Sequence, residues 1–323
     1  MSVILPVYNG QCFVAEAVES ILGQSFRDFE LVVIDDGSTD QTPAILAGYA
    51  KTDSRIKIIS HNRNRGFVTA LNHGLAHASG KLIARMDHDD IALPSRFEEQ
   101  VNFLLSHEDT GVVGSTMIVV GPGGETAGAF WTPETHDQIR FGFLFNNQIA
   151  HPSVMFRVEI VKRLGLFYQT RYTASEDYDF WVAVTDHVRA YNCRSPLVKY
   201  RIHPAQMSGA AVAPQQASAE QISSSLLRVF DPAAAFTWSD RRILNWLYRF
   251  YLLRLAESSG GSFEAPPAAD IMEAYIAQNP VTAREIATVE TFLHHGTLAQ
   301  MALRYLCVSG SDDVGLKYCA SIS

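Results

Sequence analysis

Over the first hundred residues, short continuous apolar runs alternate with stretches that are apolar at three- and four-residue intervals. Residues 2–7 (Ser-Val-Ile-Leu-Pro-Val) read as a strand, 29–34 as a second one rich in β-branched residues, 56–59 as a third, and a fourth follows Gly80. Between them, Phe13, Ala17 and Ile21 fall at helical spacing, as do residues 45–49 and then Phe67, Ala70, Leu71, Gly74, Leu75 and Ala78. Strands separated by helices in so short a span predict a parallel, helix-flanked sheet. Runs without polar alternation fit strands covered on both faces. After Pro94 the spacing predicts a helix through Phe97, Val101 and Leu104, then a strand over 112–120 and a turn at 121–124. The pattern then loosens, with segments at 153–156, 178–184 (helical) and 197–200. Residues 206–219, rich in Ala, Ser, Gln, Gly and Pro, read as a linker. Mostly helical patterns follow, around 222–230, 240–257, 268–278, 283–294 and 298–307. The expected organisation is a sheet domain at 1–208 and a helical C-terminal region at 209–323.

Composition narrows the function classes. The chain has 323 residues, 47% hydrophobic and 19% charged, which is globular and long enough for one sizeable core plus a smaller unit. A net charge of −8 argues against nucleic acid as a partner. Cys12, Cys193, Cys307 and Cys319 show no paired metal-ligand spacing and read as free thiols in a reducing cytoplasm. No basic-then-apolar leader precedes the first strand, and no apolar run approaches the roughly 18 residues of a membrane span. The expectation is a cytoplasmic protein, with peripheral contact at the inner face of the membrane left open by residues 240–257. There Arg241, Arg242, Asn245 and Arg249 share one arc of an otherwise apolar, aromatic helix. Such a face either packs in a core or lies in a membrane interface, and the helical C-terminal region as a whole is expected to help form a substrate site or a contact between copies of the chain.

Candidate chemistry gathers where the fourth strand ends, in Arg85-Met86-Asp87-His88-Asp89-Asp90. Three carboxylates within four residues repel one another unless a cation neutralises them. Hard oxygen donors point to Mg²⁺ or Mn²⁺, ions that commonly bridge carboxylates to substrate phosphates. The carboxyl ends of strands are also where open α/β sheets bind ligands. An Asp-x-Asp alone is a weak motif, and an exposed acidic turn is its plain alternative. Asp35-Asp36 closes the second strand and either contacts a nucleoside or forms an Asx turn or helix cap. Glu176 and Asp177 open a helical stretch, where acids are ordinarily stabilising, or they serve as a catalytic base. His151, after Asn146-Asn147-Gln148, either lines an acceptor side or lies in a polar loop. His294-His295 and Asp312-Asp313 read as a helix end and a solvated terminus.

Taken together and in order, Leu5-Pro6-Val7-Tyr8-Asn9-Gly10, residues 29–40, Asn64-Arg65-Gly66 with Asn72, Asp87-His88-Asp89-Asp90, Ser175-Glu176-Asp177-Tyr178-Asp179-Phe180-Trp181 and Tyr200-Arg201-Ile202-His203-Pro204 resemble the family 2 glycosyltransferases. The resemblance covers about residues 1–208. It implies the GT-A fold, a Rossmann-like, mainly parallel sheet flanked by helices, here with a helical C-terminal extension. It also implies inverting, metal-dependent transfer of a sugar from a nucleoside diphosphate, usually UDP, to a hydroxyl of a glycan or lipid-linked acceptor of the bacterial envelope. By the same resemblance Pro6, Val7, Tyr8 and Asp36 match uridine-binding positions and Arg65 the segment that approaches the nucleotide. Asp87 matches the residue near ribose and metal, Asp89 the metal ligand, Asp177 the base and His203 a histidine that reaches the metal or diphosphate. Glu176 and His151 are weaker candidates for the acceptor side. Two other classes compete. A non-catalytic nucleotide-sugar or glycan-binding module needs neither Asp177 nor His203. A dinucleotide oxidoreductase needs G-x-G-x-x-G after the first strand, where this chain has Pro6-Val7-Tyr8-Asn9-Gly10.

Overall fold

The structure, a computed structural model, describes residues 1–230 apart from 173, 205 and 207–211, together with 243–245 and 248. The chain divides into two units that interleave in sequence, one of residues 1–134 and 149–215, the other of 135–148 and 216–323.

The first unit is built on a mixed sheet whose strands, in the order given, are β3-β2-β1-β4-β8-β6-β9-β5, with β7 alongside β6. Its N-terminal half is parallel: β1 (Ser2–Val7), β2 (Glu30–Asp35), β3 (Ile56–Ser60) and β4 (Leu82–Arg85). These strands are connected through α1 (Val14–Leu22), α2 (Thr42–Thr52) and α3 (Phe67–His77). Helix α1 buries Val14, Ala17, Val18 and Ile21, the three- and four-residue spacing that puts one stripe on the sheet. Val3, Leu5, Leu31, Val33 and Ala84 meet that stripe in one core with Phe97 and Leu104 of α4 (Arg96–Ser106). All six residues of β1 are buried, as expected of a strand covered on both faces.

The second half of the sheet carries what the loose pattern hid. Strand β5 (Ile91–Ala92) has two residues and pairs with β9. β6 (Thr110–Val120) runs parallel to the long β9 (Arg189–Arg201) through three register shifts, which blur any alternation in the sequence. β7 (Thr126–Phe130) folds back on β6 as a fully exposed hairpin arm, and β8 (Met155–Arg157) inserts antiparallel between β4 and β6. Short helices α6 (Val158–Leu164) and α7 (Glu176–Thr185) complete the unit.

The linker expected at 206–219 is corrected in part, because Val212–Phe230 forms a helix, α8. Alanine has the highest helix propensity, and Pro214 lies in the first turn, where a missing N–H costs nothing. In the second unit, α5 (His136–Gly142) begins with a capping box formed by Thr135 and Gln138. Phe141 and Tyr248 pack edge-to-face at 5.2 Å, and the Tyr248 hydroxyl donates to the Gln138 carbonyl at 2.7 Å. The basic face expected around Arg241 and Arg249, the helical patterns beyond 248, His294-His295, Asp312-Asp313, Cys307 and Cys319 lie outside the described residues. Among the described residues no helix is long and apolar enough to cross a membrane.

Gly74 is where α3 approaches β1. A Cβ there would stand 2.4 Å from Ile4 Cγ2, and Ile4 is buried in its strand with no room to swing away. Gly74→Ala is therefore expected to destabilise the protein by roughly 1–3 kcal/mol through overpacking, outweighing the gain of about 1 kcal/mol that alanine ordinarily brings to a helix. The urea midpoint of the full chain measures it. A variant as stable as the wild type would show that α3 shifts freely on the sheet.

Candidate active site

The four parallel strands end on the same side, and strand order reverses between β1 and β4, so a crevice opens there. Tyr8, Asp36 and His61 directly follow the first three of those ends, and Asp87 follows the fourth after Met86. The loops after β1 and β2 are tied together. Asn9, in a left-handed conformation at φ 50°, donates its N–H to Ser38 Oγ at 2.9 Å and accepts at Oδ1 from Thr39 N at 2.9 Å. Gln11 N donates to Asp40 Oδ2, and Gln41 N to Gln11 Oε1. Gly37 lets this wall close on the loop after β3, since a Cβ at its φ of 75° would meet the Arg63 backbone at 2.4 Å.

Asp36 is buried and heavily engaged. Its Oδ1 pairs with His61 Nδ1 at 2.6 Å and accepts from Arg65 N at 2.9 Å, while Oδ2 accepts from Gly66 N at 2.8 Å. Asp36 N donates to the Val7 carbonyl. Pro6 and Val7 lie buried in β1, the Tyr8 side is 43% exposed, and Arg65 meets Asp36 through its main chain with its side chain exposed.

The acidic loop is held between two arginines. Arg85, 2% exposed, grips both oxygens of Asp87 with its two terminal nitrogens and lies over the Phe67 ring at 5.2 Å. Arg201 donates N to Asp90 Oδ1, Nε to the Asp89 carbonyl, Nη1 to the Pro122 carbonyl and Nη2 to Glu16. Three bonds from one buried side chain and one from its main-chain N–H fix the loop to α1, β9 and the turn after β6. His203 follows on the same strand end and places Nε2 2.9 Å from Asp89 Oδ2, its ring against Phe13 at 4.8 Å.

A divalent cation fits this loop. Oxygens of Asp87, Asp89 and Asp90 lie within 4.8 Å of one another, and Asp90 Oδ2 is buried without a hydrogen-bond partner. Burial, reinforced by the neighbouring carboxylates, raises the Asp90 carboxyl well above its ordinary range. An uncompensated buried acceptor among hard oxygen donors is what Mg²⁺ or Mn²⁺ relieves.

Glu176 and Asp177 open α7 directly after Ala174, whose φ of 55° makes the left-handed turn that leads into Ser175. Burial pushes the Asp177 carboxyl up to about 6 and Glu176, with Asp177 beside it, to about 7; Arg85 draws both down and Asp87 pushes both up. The second carboxylate group is thus within the field of the first. Asp179 instead carries an ion pair with Arg171. His151 is buried, 3.0 Å from the Tyr168 hydroxyl and edge-on to Trp181; burial and Arg85 lower its pKa far below the usual imidazole value.

The structure therefore brings Asp87, Asp89, His203, Glu176 and Asp177 into one electrostatic neighbourhood and gathers Pro6, Val7, Tyr8, Asp36 and Arg65 along the adjoining strand ends. His151 lies behind them in an aromatic box. Sequence reasoning gave no role to Arg85, Arg201, His61 or His73. For Arg85 a signal existed: a lone guanidinium inside a buried strand requires a partner, and the nearest carboxylate is two residues on. No local signal connects His61 to His73.

The profile described as Glycosyl transferase family 2 matches residues 2–165. An uncharacterised glycosyltransferase of Haemophilus influenzae is 36% identical over 230 residues, covering 69% of this chain and 71% of the relative. The O-antigen biosynthesis glycosyltransferase WbnJ of Escherichia coli is 31% identical over 220 residues, 66% of this chain and 84% of that one. In fold, the chain is similar to S. aureus TarS 1-349 in complex with UDP, at a TM-score of 0.56 and 18% identity, over 94% of this chain and 80% of that one. The chain belongs to glycosyltransferase family 2 and has the GT-A fold expected from its motifs.

Arg85→Met removes the guanidinium that grips Asp87 and draws down the Glu176–Asp177 pair. Leaving Asp87 without its partner is expected to cost roughly 2–4 kcal/mol, discounted for its partial exposure. Mn²⁺ should raise the melting temperature of the variant more than that of the wild type, because the freed carboxylate is available to the ion. Equal shifts in both would mean that Arg85 does not compete for Asp87.

Proposed function

We propose that this glycosyltransferase moves a sugar from a uridine diphosphate donor to an acceptor hydroxyl with inversion, in the assembly of a bacterial surface polysaccharide. The observation that carries this reading is the presence of two carboxylate groups with different surroundings in one field. One is a loop of three acids tied by arginines, the other a buried acid pair at a helix start, raised toward neutrality.

The residues divide the work. Tyr8 offers an exposed ring for a base to lie against, and Asp36 offers an acceptor to the nucleoside. Asp87 and Asp89, with His203, would hold Mn²⁺ or Mg²⁺. When bound, the ion neutralises charge developing on the diphosphate leaving group. His203 orients Asp89, and Arg201 fixes the backbone on which Asp89 and Asp90 sit. Asp177 takes the proton from the attacking hydroxyl. Burial raises its affinity for that proton toward the operating pH, which favours general-base catalysis. Glu176 shares the titration of the pair, and Asp179 is committed to Arg171. WbnJ, an O-antigen biosynthesis enzyme, supports the class of product, and TarS bound to UDP supports the donor. A non-catalytic binding module would have no use for a buried, raised acid pair beside the acidic loop.

Two variants separate the roles. Asp89→Ala is expected to abolish Mn²⁺-dependent UDP affinity and transfer together. Asp177→Asn, nearly isosteric, should leave UDP affinity close to wild type and lower the transfer rate by about 10²–10⁴, or roughly 3–5 kcal/mol of barrier. Calorimetry and initial rates read both. An Asp177→Asn enzyme within a few-fold of wild type would remove Asp177 as base and leave Glu176 as the next candidate.

The wild-type rate should also depend on pH in one direction. The base works deprotonated and its pKa is raised, so kcat should fall as pH drops through the region between about 6 and about 7 and level off above it. A profile flat down to about pH 5, near the ordinary carboxylate range, would contradict this assignment.

A further inference from the structure

Asp36 heads a chain of titratable groups, covered at Asp36 and His61 and reaching the surface at His77, whose histidines the transfer chemistry does not use. Asp36 and His61 have side chains 4% and 5% exposed and meet at 2.6 Å. His61 Nε2 in turn lies 2.9 Å from His73 Nδ1, the two rings edge-to-face at 4.8 Å. His73 stands on α3, and its carbonyl accepts from His77 Nδ1 at 2.8 Å. The groups facing the imidazole pair are Asp36 from the loop after β2, Arg65 from the loop after β3, and His77 one turn along α3. Asp35 is occupied elsewhere, accepting from Ser38 N.

The lone pairs of Asp36 can be counted. A carboxylate has about four acceptor positions. His61 Nδ1 and Arg65 N take two on Oδ1, and Gly66 N takes one on Oδ2. What remains for a ligand is a single acceptor, on Oδ2. Its direction depends on the carboxylate plane, which His61 helps to hold.

Donor and acceptor roles fit along the chain: His61 Nδ1–H donates to Asp36, and His61 Nε2 accepts from His73 Nδ1–H. His73, on α3, thereby holds the ring that holds the carboxylate plane.

We propose that His61 is a positioning residue of the nucleotide site, which with His73 aims the one free acceptor of Asp36 at the nucleoside. This rests on Asp36 contacting the nucleoside, as argued above.

The test measures UDP affinity by calorimetry, with Mn²⁺, and the melting temperature, for wild type, His61→Ala, His61→Leu, His61→Asn and Asp36→Ala. His61→Ala and His61→Leu should weaken UDP binding about tenfold, the worth of one hydrogen bond to a charged group. In His61→Asn the amide nitrogen stands where Nδ1 stood, so affinity should return to near wild type. A purely structural histidine would lower the melting temperature in these variants without changing UDP affinity. His61→Leu binding as the wild type does, or His61→Asn as weak as His61→Leu, overturns the proposal, and does so even if His61→Ala fails to fold. If Asp36→Ala binds UDP as the wild type does, the nucleoside role of Asp36 falls and the proposal with it. If Asp36→Ala abolishes binding while the histidine variants change nothing, only the proposal falls.

Discussion

The guanidinium of Arg85 against Asp87 is the interaction on which the site depends. Three carboxylates whose oxygens lie within 4.8 Å of one another repel by about 3.5 kcal/mol per charged pair at an effective dielectric near 20. Three such pairs approach 10 kcal/mol, comparable with the whole stability of a typical domain. A loop of this kind folds only if fixed positive charge accompanies it. Arg85 supplies that charge from inside β4, where the strand pairs with β1 and β8 and cannot drift. Arg201 acts differently: three of its four bonds go to main-chain carbonyls and to Glu16, and its own N–H reaches Asp90. One arginine offsets charge and the other fixes position.

This arrangement constrains how a cation is shared. Arg85 occupies one position on each oxygen of Asp87, while Asp90 Oδ2 is buried with no hydrogen-bond partner and Asp89 is oriented by His203. The loop is thus graded, from a carboxylate already paired within the protein to one left uncompensated. The grading follows from chain order. Asp87 leaves β4 beside Arg85, whereas Asp89 and Asp90 lie in the stretch that β9 and Arg201 cover.

How much of this was readable in the sequence depended on how local the cause was. Strands β1 to β4 and helices α1 to α4 announced themselves because each buries a stripe or a run set by its own residues. β7 carries no buried face, and β9 follows β6 through register shifts, so neither had a periodic signature. The stretch taken as a linker held the alanines that make α8. At the site, Asp87, Asp89, Asp177 and His203 were found through motif order, which is a record of spacing. Arg201 stood in a motif with no role, because its partners Glu16, Asp89 and Pro122 are separated from it by up to 185 residues. His61 and His73 were invisible for the same reason: their contact exists only once α3 is laid on the sheet.

The two halves of the crevice solve opposite problems with the same residue types. At β4 the acids outnumber the cations, and burial with mutual repulsion raises the proton affinity of Asp90. At β2 a lone carboxylate is surrounded by donors, two main-chain N–H groups and an imidazole, so its charge is absorbed within the protein. Asp36 thereby acts through direction rather than through net charge, whereas the loop after β4 keeps a buried acceptor that no described residue satisfies. β1 stands between the two strands, so the directional acceptor and the acid cluster flank the switch point from either side.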